Sequence, residues 1–199
     1  MIWPAWVGMR DAVHVLYAGR SAEWGPAGAL FAAPRHPYTR ALLLAAPVLG
    51  VAPSGIAGQL PEPEARAAGC RFAPRCAFAA ALCAEGTPPV LAGATQVACR
   101  FPLSGAVDAK VGDAVARRLV GAATLLRAEG LTVRYGGGFW RAREIAPALA
   151  DASFVLAAGE CLAVVGESGS GKSLAGTGPC CRWCRMRAAC GCGMCCWAR

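Results

Sequence analysis

Residues 166–173 combine glycines, a lysine and a terminal hydroxyl at the spacing GxxxxGK[ST]. Glycines at these positions let a loop turn its backbone N–H groups inward around a β-phosphate, and the lysine supplies a cation to the β- and γ-phosphate oxygens. The serine hydroxyl can ligate Mg²⁺ at the start of a helix, whose dipole favours an anion. The pattern therefore predicts a phosphate-binding loop. Its residues are Gly166, Glu167, Ser168, Gly169, Ser170, Gly171, Lys172 and Ser173, with Ser173 as the Mg²⁺ ligand.

Strands must precede such a loop, and the sequence predicts them. Cys161 to Val165 is a short apolar, β-branched run suited to a buried parallel strand that leads into the loop. Upstream, LLRAEGLTVRYGGG alternates, with Leu131, Val133 and Tyr135 on one face, and PALADASFVLAAGE adds a second strand and a turn. A Gly/Ser-rich loop that matches the motif by accident would lack this context, so the phosphate-loop interpretation is preferred.

Four cysteines between the chain's centre and its start form a second candidate site: Cys70, Cys76, Cys83 and Cys99. They contain no C-x-x-C pair, which disfavours a zinc ribbon. Four thiolates could hold an iron–sulfur cluster. The alternative is four partly buried thiols without a metal.

Composition excludes some classes of protein. The net charge of +8 at pH 7 could indicate an anionic partner, but the charges are not clustered, so we expect no nucleic-acid partner. The charge-free stretch from Ala41 to Pro61 is broken by prolines and glycines and is not expected to span a membrane. The N-terminus lacks the basic and apolar regions of a signal peptide, which predicts a reducing cytoplasmic location.

Longer stretches of the chain resemble the ATP-binding proteins of ABC transporters. VHVLYAGR followed by E-W-G and a helix is similar to the end of a cassette, and the strands before the phosphate loop resemble the start of another. HPYTRALL (residues 36–43) and the cysteine-containing segment from GQLPEPEARAAGCRFAPRC to ACRFP resemble the oligopeptide/dipeptide importer branch. The resemblance covers residues 8–102 and 125–177, and it suggests a structural role for His36.

This resemblance implies an α/β fold made of incomplete P-loop NTPase pieces, joined by a loop-rich, cysteine-containing extension. We expect residues 1–45 to be the end of a first cassette and 46–105 the C-terminal extension of the importer branch. A linker over 106–124 and the start of a second cassette over 125–177 would follow. The first piece would lack its own phosphate loop and signature motif, and the second would lack everything after Thr177.

The resemblance also implies a function, cofactors and partners. The parent would couple ATP binding and hydrolysis to peptide import, with ATP and Mg²⁺ as cofactors. Tyr135 would stack on adenine, although it could instead be a core aromatic. Some relatives hold a 4Fe–4S cluster on the four cysteines. Partners would be transmembrane permease subunits, a substrate-binding protein and a second ATP-binding cassette, on the inner face of the bacterial plasma membrane.

Turnover of ATP by this chain alone is uncertain, because Glu167 is its last acidic residue and no carboxylate for Mg²⁺ or water follows. Two other classes stay open. One is a small iron–sulfur or metal-binding module without an ATPase role, and the other is an unrelated P-loop kinase, which would need downstream acids.

The tail over residues 178–199 holds seven cysteines and could be read as a metal or disulfide knot. Codon arithmetic favours another interpretation. Cysteine is TGY and tryptophan is TGG, so a shift to the third base turns every Cys-Cys or Cys-Trp junction into a leucine codon. Gly178 to Trp197 then reads ALLPVVPDAGGLRVRDVLLG, and Met1 to Pro4, shifted likewise, can read His-Asp-Leu-Ala. We therefore predict frame changes at both ends and no evolved metal site in the tail.

Overall fold

The structure is a computed structural model that describes residues 11–46, 55–62, 66, 68–106, 123–134, 147–177 and 188–190. Its first part, residues 11–106, begins with a β-hairpin followed by two short helices. Strands β1 (Ala12–Tyr17) and β2 (Arg20–Pro26) pair antiparallel, and helices α1 (Ala27–Ala32) and α2 (Pro37–Leu44) follow. Ala18 and Gly19 form the hairpin loop with φ of 49° and 81°, the left-handed values that a two-residue loop requires.

Helix α2 begins where the sequence provides a cap and a proline. Pro37 occupies the first turn, where a missing N–H costs nothing, and the His36 ring accepts a hydrogen bond from the backbone N–H of Tyr38 at 3.0 Å. The fully buried carboxylate of Glu23 lies beneath this turn and accepts from the backbone N–H groups of Arg35 and His36. The structure thus gives His36 the structural contact that the sequence suggested.

The cysteine-containing segment has little regular structure. It holds two 3₁₀ turns, Ala73–Arg75 and Ala81–Ala84, and two short strands, β3 (Val90–Leu91) and β4 (Gln96–Ala98). The alanine-rich run over residues 77–83 has a high helix propensity, but only its end is helical, in the 3₁₀ turn Ala81–Ala84. A stretch this short cannot offset the cost of nucleating an α-helix without packing along one face.

The second part of the chain, described over residues 123–134, 147–177 and 188–190, is mostly extended. Strands β5 (Thr124–Val133) and β6 (Leu149–Ala157) pair antiparallel, β7 (Leu162–Val165) leads into the candidate loop, and helix α3 (Lys172–Thr177) follows it. A further strand, β8 (Ala188–Cys190), pairs antiparallel with β5. Leu131 and Val133 are both buried, as their predicted common face requires. The predicted strands before the loop are therefore confirmed.

The strands form two sheets, one of them shared by the two parts of the chain. The first sheet has the order β3-β4-β2-β1-β7, and the second has the order β6-β5-β8. In the first sheet β7 lies parallel to β1, with Ala12 opposite Leu162 and Val15 opposite Val165. Strand β1, from the piece expected to end a first cassette, thus pairs with β7, from the piece expected to begin a second one. The open edge of β1 accepts a strand from the second part, which leaves fewer unpaired backbone groups.

Two apolar clusters pack against this arrangement. The larger one lies between β1, the two helices and Phe72, and the smaller one joins Leu16 of the first sheet to the second sheet and α3. The smaller cluster consists of Leu16, Leu131, Val133, Leu149, Ala152 and Ala175. In the described ranges, no helix has the length and apolar character needed to cross a membrane. The mixed α/β composition agrees with the predicted fold class at this coarse level.

Candidate phosphate-binding site

Residues 166–171 of the motif form a tight loop between β7 and α3, and its last two residues, Lys172 and Ser173, begin α3. The backbone N–H of Ser170 donates to the Glu167 carbonyl at 3.1 Å, which closes the first turn. Gly169 and Gly171 have φ of 78° and 97°, which non-glycine residues rarely adopt. At Gly166 a Cβ would lie 2.2 Å from the Leu16 carbonyl oxygen of β1, so only glycine fits where the loop leaves the sheet.

Lys172 folds back over the start of the loop. Its Nζ donates to the carbonyls of Gly166 at 3.0 Å and Glu167 at 2.7 Å. Burial lowers the pKa of Lys172, and the negative charge of Glu167 opposes that shift. The ammonium group therefore lies against backbone oxygens at the position where the motif predicts a phosphate-binding cation.

A cleft of about 750 Å³ opens beside the loop. Five of the motif's residues line it: Ser168, Gly169, Gly171, Lys172 and Ser173. The cysteine-containing segment also contributes to the lining, through Leu60, Pro61, Glu62 and Arg66, as do Ala148 and Leu174. A volume of this size lies within the usual range for small-molecule sites.

Glu167 of the loop is held by an arginine from the cysteine-containing segment. Arg75 donates two parallel hydrogen bonds to the carboxylate, from Nη1 to Oε2 at 2.7 Å and from Nη2 to Oε1 at 3.0 Å. The Arg75 side chain is 6% exposed and that of Glu167 is 26% exposed. Hydrogen bonding to Glu167 is the main cause that raises the pKa of Arg75. A two-point pair of this kind fixes both the position and the orientation of the Glu167 carboxylate.

A buried aromatic cluster supports the same contact. The rings of Tyr17, Tyr38 and Phe72 lie with centroids 4.6 to 5.3 Å apart. The hydroxyl of Tyr38 accepts a hydrogen bond from the backbone N–H of Glu167 at 2.8 Å, and that of Tyr17 accepts from Arg75 at 3.1 Å. Burial raises the pKa of Tyr38, so its hydroxyl is neutral at physiological pH.

The four candidate cysteines lie around one small cavity but do not form a metal site. Cys70, Cys76, Cys83 and Cys99 line a space of about 20 Å³, roughly enough for one water molecule. No group of three or more His, Cys, Asp or Glu side chains able to hold a metal occurs in the described part of the chain. Burial also raises the pKa of Cys70, Cys76 and Cys99, the last to about 11, which disfavours the thiolates that metals bind. In this arrangement the residues do not fit a 4Fe–4S cluster.

One predicted site residue lies outside the described part of the chain, and three residues beside the loop were not predicted. Tyr135 lies outside the described residues, as does most of the cysteine-rich tail. Sequence reasoning missed Arg75, Tyr38 and Tyr17 as neighbours of the loop. Arg75 stands directly before Cys76, but no spacing rule connects it to a residue 92 positions away.

Comparison with known proteins identifies the part of the chain that carries Tyr38 and Arg75. A family model described as "Oligopeptide/dipeptide transporter, C-terminal region" covers residues 22–83. Residues 22–83 match this transporter C-terminal region. Three of the residues around the loop, Tyr38, Phe72 and Arg75, belong to it, whereas Tyr17 and the loop itself lie outside.

Individual relatives agree with this match. The chain is 48% identical over 82 residues to a protein described as a peptide import ATP-binding protein in Brucella melitensis, covering 39% of this chain and 24% of that protein. It is 45% identical over 94 residues to the di/tripeptide transport ATP-binding protein DppF of Pseudomonas aeruginosa, covering 45% of this chain and 29% of that one. The chain therefore spans about a quarter of the length of the curated relatives it matches.

Proposed function

We propose that the chain is part of the ATP-binding subunit of an ABC-type peptide importer and that residues 166–173 bind the phosphates of ATP with Mg²⁺. One observation carries the proposal: a GxxxxGK[ST] loop leaves a parallel strand and borders a cleft that residues 60–62 and 66 of the transporter C-terminal region also line. Lys172 and Arg66 both line this cleft and carry positive charges. The relatives' names, which specify peptide import and ATP binding, support the same substrate class.

The residues of the loop fit a phosphate group. Glycines occupy the positions with left-handed backbone, so no side chain fills the turn where phosphate oxygens would approach backbone N–H groups. The Oγ of Ser170 is buried and has no hydrogen-bond partner among the described residues. When bound, Mg²⁺ would neutralise charge on the β- and γ-phosphates, and Ser173 would hold it. Lys172 would move from the carbonyls of Gly166 and Glu167 to the phosphate oxygens.

The domain assignment follows from the same proposal. Residues 1–45 would end one cassette, 46–105 would be its extension, 106–124 a linker and 125–177 the start of a second cassette. Permease subunits, a substrate-binding protein and a further cassette would be the partners, with the complex peripheral to the inner face of the plasma membrane. For this part of the subunit we propose the binding of ATP, which the residues of the loop support.

Titration with a fluorescent ATP analogue in the presence of Mg²⁺ tests the proposal. The unsubstituted chain should bind weakly, and Lys172→Ala should bind at least roughly tenfold more weakly, because one charge-assisted contact to phosphate is lost. Arg127→Gln is a control of equal net charge, since Arg127 lies in an exposed pair with Glu129. Equal affinity of the Lys172→Ala variant and the unsubstituted chain would contradict the proposed site.

A further inference from the structure

The contact between Arg75 and Glu167 has the features of a preorganised pair. An arginine has five N–H donors, and all five of Arg75 have acceptors here. Two bond Glu167, one bonds the Tyr17 hydroxyl, and the other two bond the carbonyls of Ile56 and Ala57 at 3.1 and 2.7 Å. Because three of these partners lie outside the loop, the guanidinium would keep its place without Glu167.

The phosphate loop also forms hydrogen bonds with Tyr38 and Gly19, which lie near the start of the chain. Glu167 N–H donates to the buried Tyr38 hydroxyl, and Gly19 N–H donates to the Ser170 carbonyl at 2.9 Å. The backbone and the side chain of Glu167 are therefore both fixed from outside the loop. Lys172 in turn rests on the Glu167 carbonyl.

Glu167 places a negative charge inside a loop that is proposed to bind an anion. An unpaired carboxylate here would repel phosphate and would compete with phosphate for the Lys172 ammonium. Arg75 cancels this charge through a two-point pair that is only partly screened by water, since the Arg75 side chain is 6% and that of Glu167 26% exposed. The arginine thus removes the one feature of the loop that opposes anion binding.

We propose that Arg75 is a positioning residue for the phosphate loop: it holds and neutralises Glu167, so the transporter C-terminal region sets the nucleotide affinity of the loop. This inference rests on the proposed function, because it concerns the affinity of that same site. Arg75 does not touch the nucleotide. It acts through Glu167 and, by way of the Glu167 carbonyl, on Lys172.

A double-mutant cycle on the full chain tests the inference, with a fluorescent ATP analogue and Mg²⁺ as the probe. Arg75→Gln should weaken binding roughly tenfold, because it exposes the Glu167 charge to the site. Glu167→Gln alone should bind at least as tightly as the unsubstituted chain. The double variant should recover to within about twofold of the unsubstituted chain, since both charges are gone. The loss in Arg75→Gln should also shrink as salt is raised.

Recovery in the double variant distinguishes the charge effect from simple damage to the fold. If the double variant binds as weakly as Arg75→Gln, or if Arg75→Gln binds as tightly as the unsubstituted chain, the inference is overturned. Arg127→Gln matches the charge change and should leave affinity unaltered. Thermal melting is recorded first. If Arg75→Gln does not fold, Glu167→Gln decides, and a tenfold loss of affinity in that variant overturns the inference.

The Lys172→Ala result keeps the two proposals apart. If Lys172→Ala binds the analogue as tightly as the unsubstituted chain, the proposed phosphate site fails whatever Arg75 does. If Lys172→Ala loses binding while the Arg75 and Glu167 variants leave it unchanged, the site stands and the positioning role of Arg75 is wrong.

Discussion

At the residue scale, buried polar side chains hold the turns around the candidate site. Glu23 is fully buried and accepts hydrogen bonds from two backbone N–H groups and from the Thr95 hydroxyl at 2.7 Å. His36 is buried beside it and caps α2 through its ring nitrogen. A buried histidine ring such as that of His36 favours its neutral form, because the charged form would be desolvated. The free energy of unfolding should therefore depend on pH through the protonation of individual buried residues.

Acid should destabilise the chain through its buried histidines. Burial lowers the pKa of both His14 and His36 to about 4 from the usual 6.5. The folded state therefore prefers neutral imidazole, so this stability is present above pH 6.5 and is lost as the pH falls toward 4, at about 1.4 kcal/mol per pKa unit for each ring. His36→Asn keeps a cap acceptor but does not titrate. Urea midpoints at pH 7 and 4.5 should differ less for this variant than for the unsubstituted chain, and an equal difference would contradict the assignment.

Cysteine reactivity should follow burial and pKa. Cys161 is exposed, whereas Cys99 is 8% exposed and burial raises the pKa of its thiol to about 11. Iodoacetamide attacks the thiolate, so at pH 8 Cys161 should be alkylated first and Cys99 much later. Peptide mapping by mass spectrometry at successive times measures both. Equal rates for the two residues would show that Cys99 is not buried as described.

At the element scale, the parallel pair of β1 and β7 decides where the phosphate loop begins. The register places Val15 beside Val165, and the next residue, Gly166, passes close to the Leu16 carbonyl. The loop can therefore leave the sheet only through a residue without a side chain. This pair also brings the Ala18–Gly19 turn next to Ser170.

Gly166→Ala should destabilise the fold by roughly 2 kcal/mol or more, since the new Cβ would overlap the Leu16 carbonyl. Gly176→Ala in α3 is the matched control, because no atom of the described residues lies within 4 Å of its Cβ position. There the substitution should be neutral or stabilising by up to about 1 kcal/mol. Chemical denaturation of both variants measures the difference, and equal stability would argue against the β1–β7 register.

The sequence predicted the elements well and their long-range pairing poorly. Local signals identified the strands before the loop and the apolar face of Leu131 and Val133, because propensity and periodicity act over a few residues. Nothing local records that β1 lies beside β7 or that Arg75 reaches Glu167. Those contacts depend on which open strand edge and which buried charge remain unpaired once the elements have formed. The pairing of the two parts was therefore not predicted, and Arg75 was missed.

At the scale of the whole molecule, the two parts of the chain should depend on each other. A chain ending at residue 106 would leave β1 without its parallel partner and Arg75 without Glu167. We expect it to self-associate through the open strand edge. Light scattering coupled to size-exclusion chromatography tests this. A chain ending at residue 177 keeps β7 and serves as the control, and equal particle sizes for the two shortened chains would contradict the dependence.

The pairing of β1 with β7 also has a consequence in time. Asp11 and Cys161, which bond across this edge, are separated by 150 residues along the chain. At usual rates of protein synthesis the first strand would leave the ribosome roughly ten seconds or more before its neighbour is made. During that interval its edge stays uncovered, and the interval is longest when translation slows in the intervening segment. The yield of correctly paired protein should therefore depend on the speed of translation.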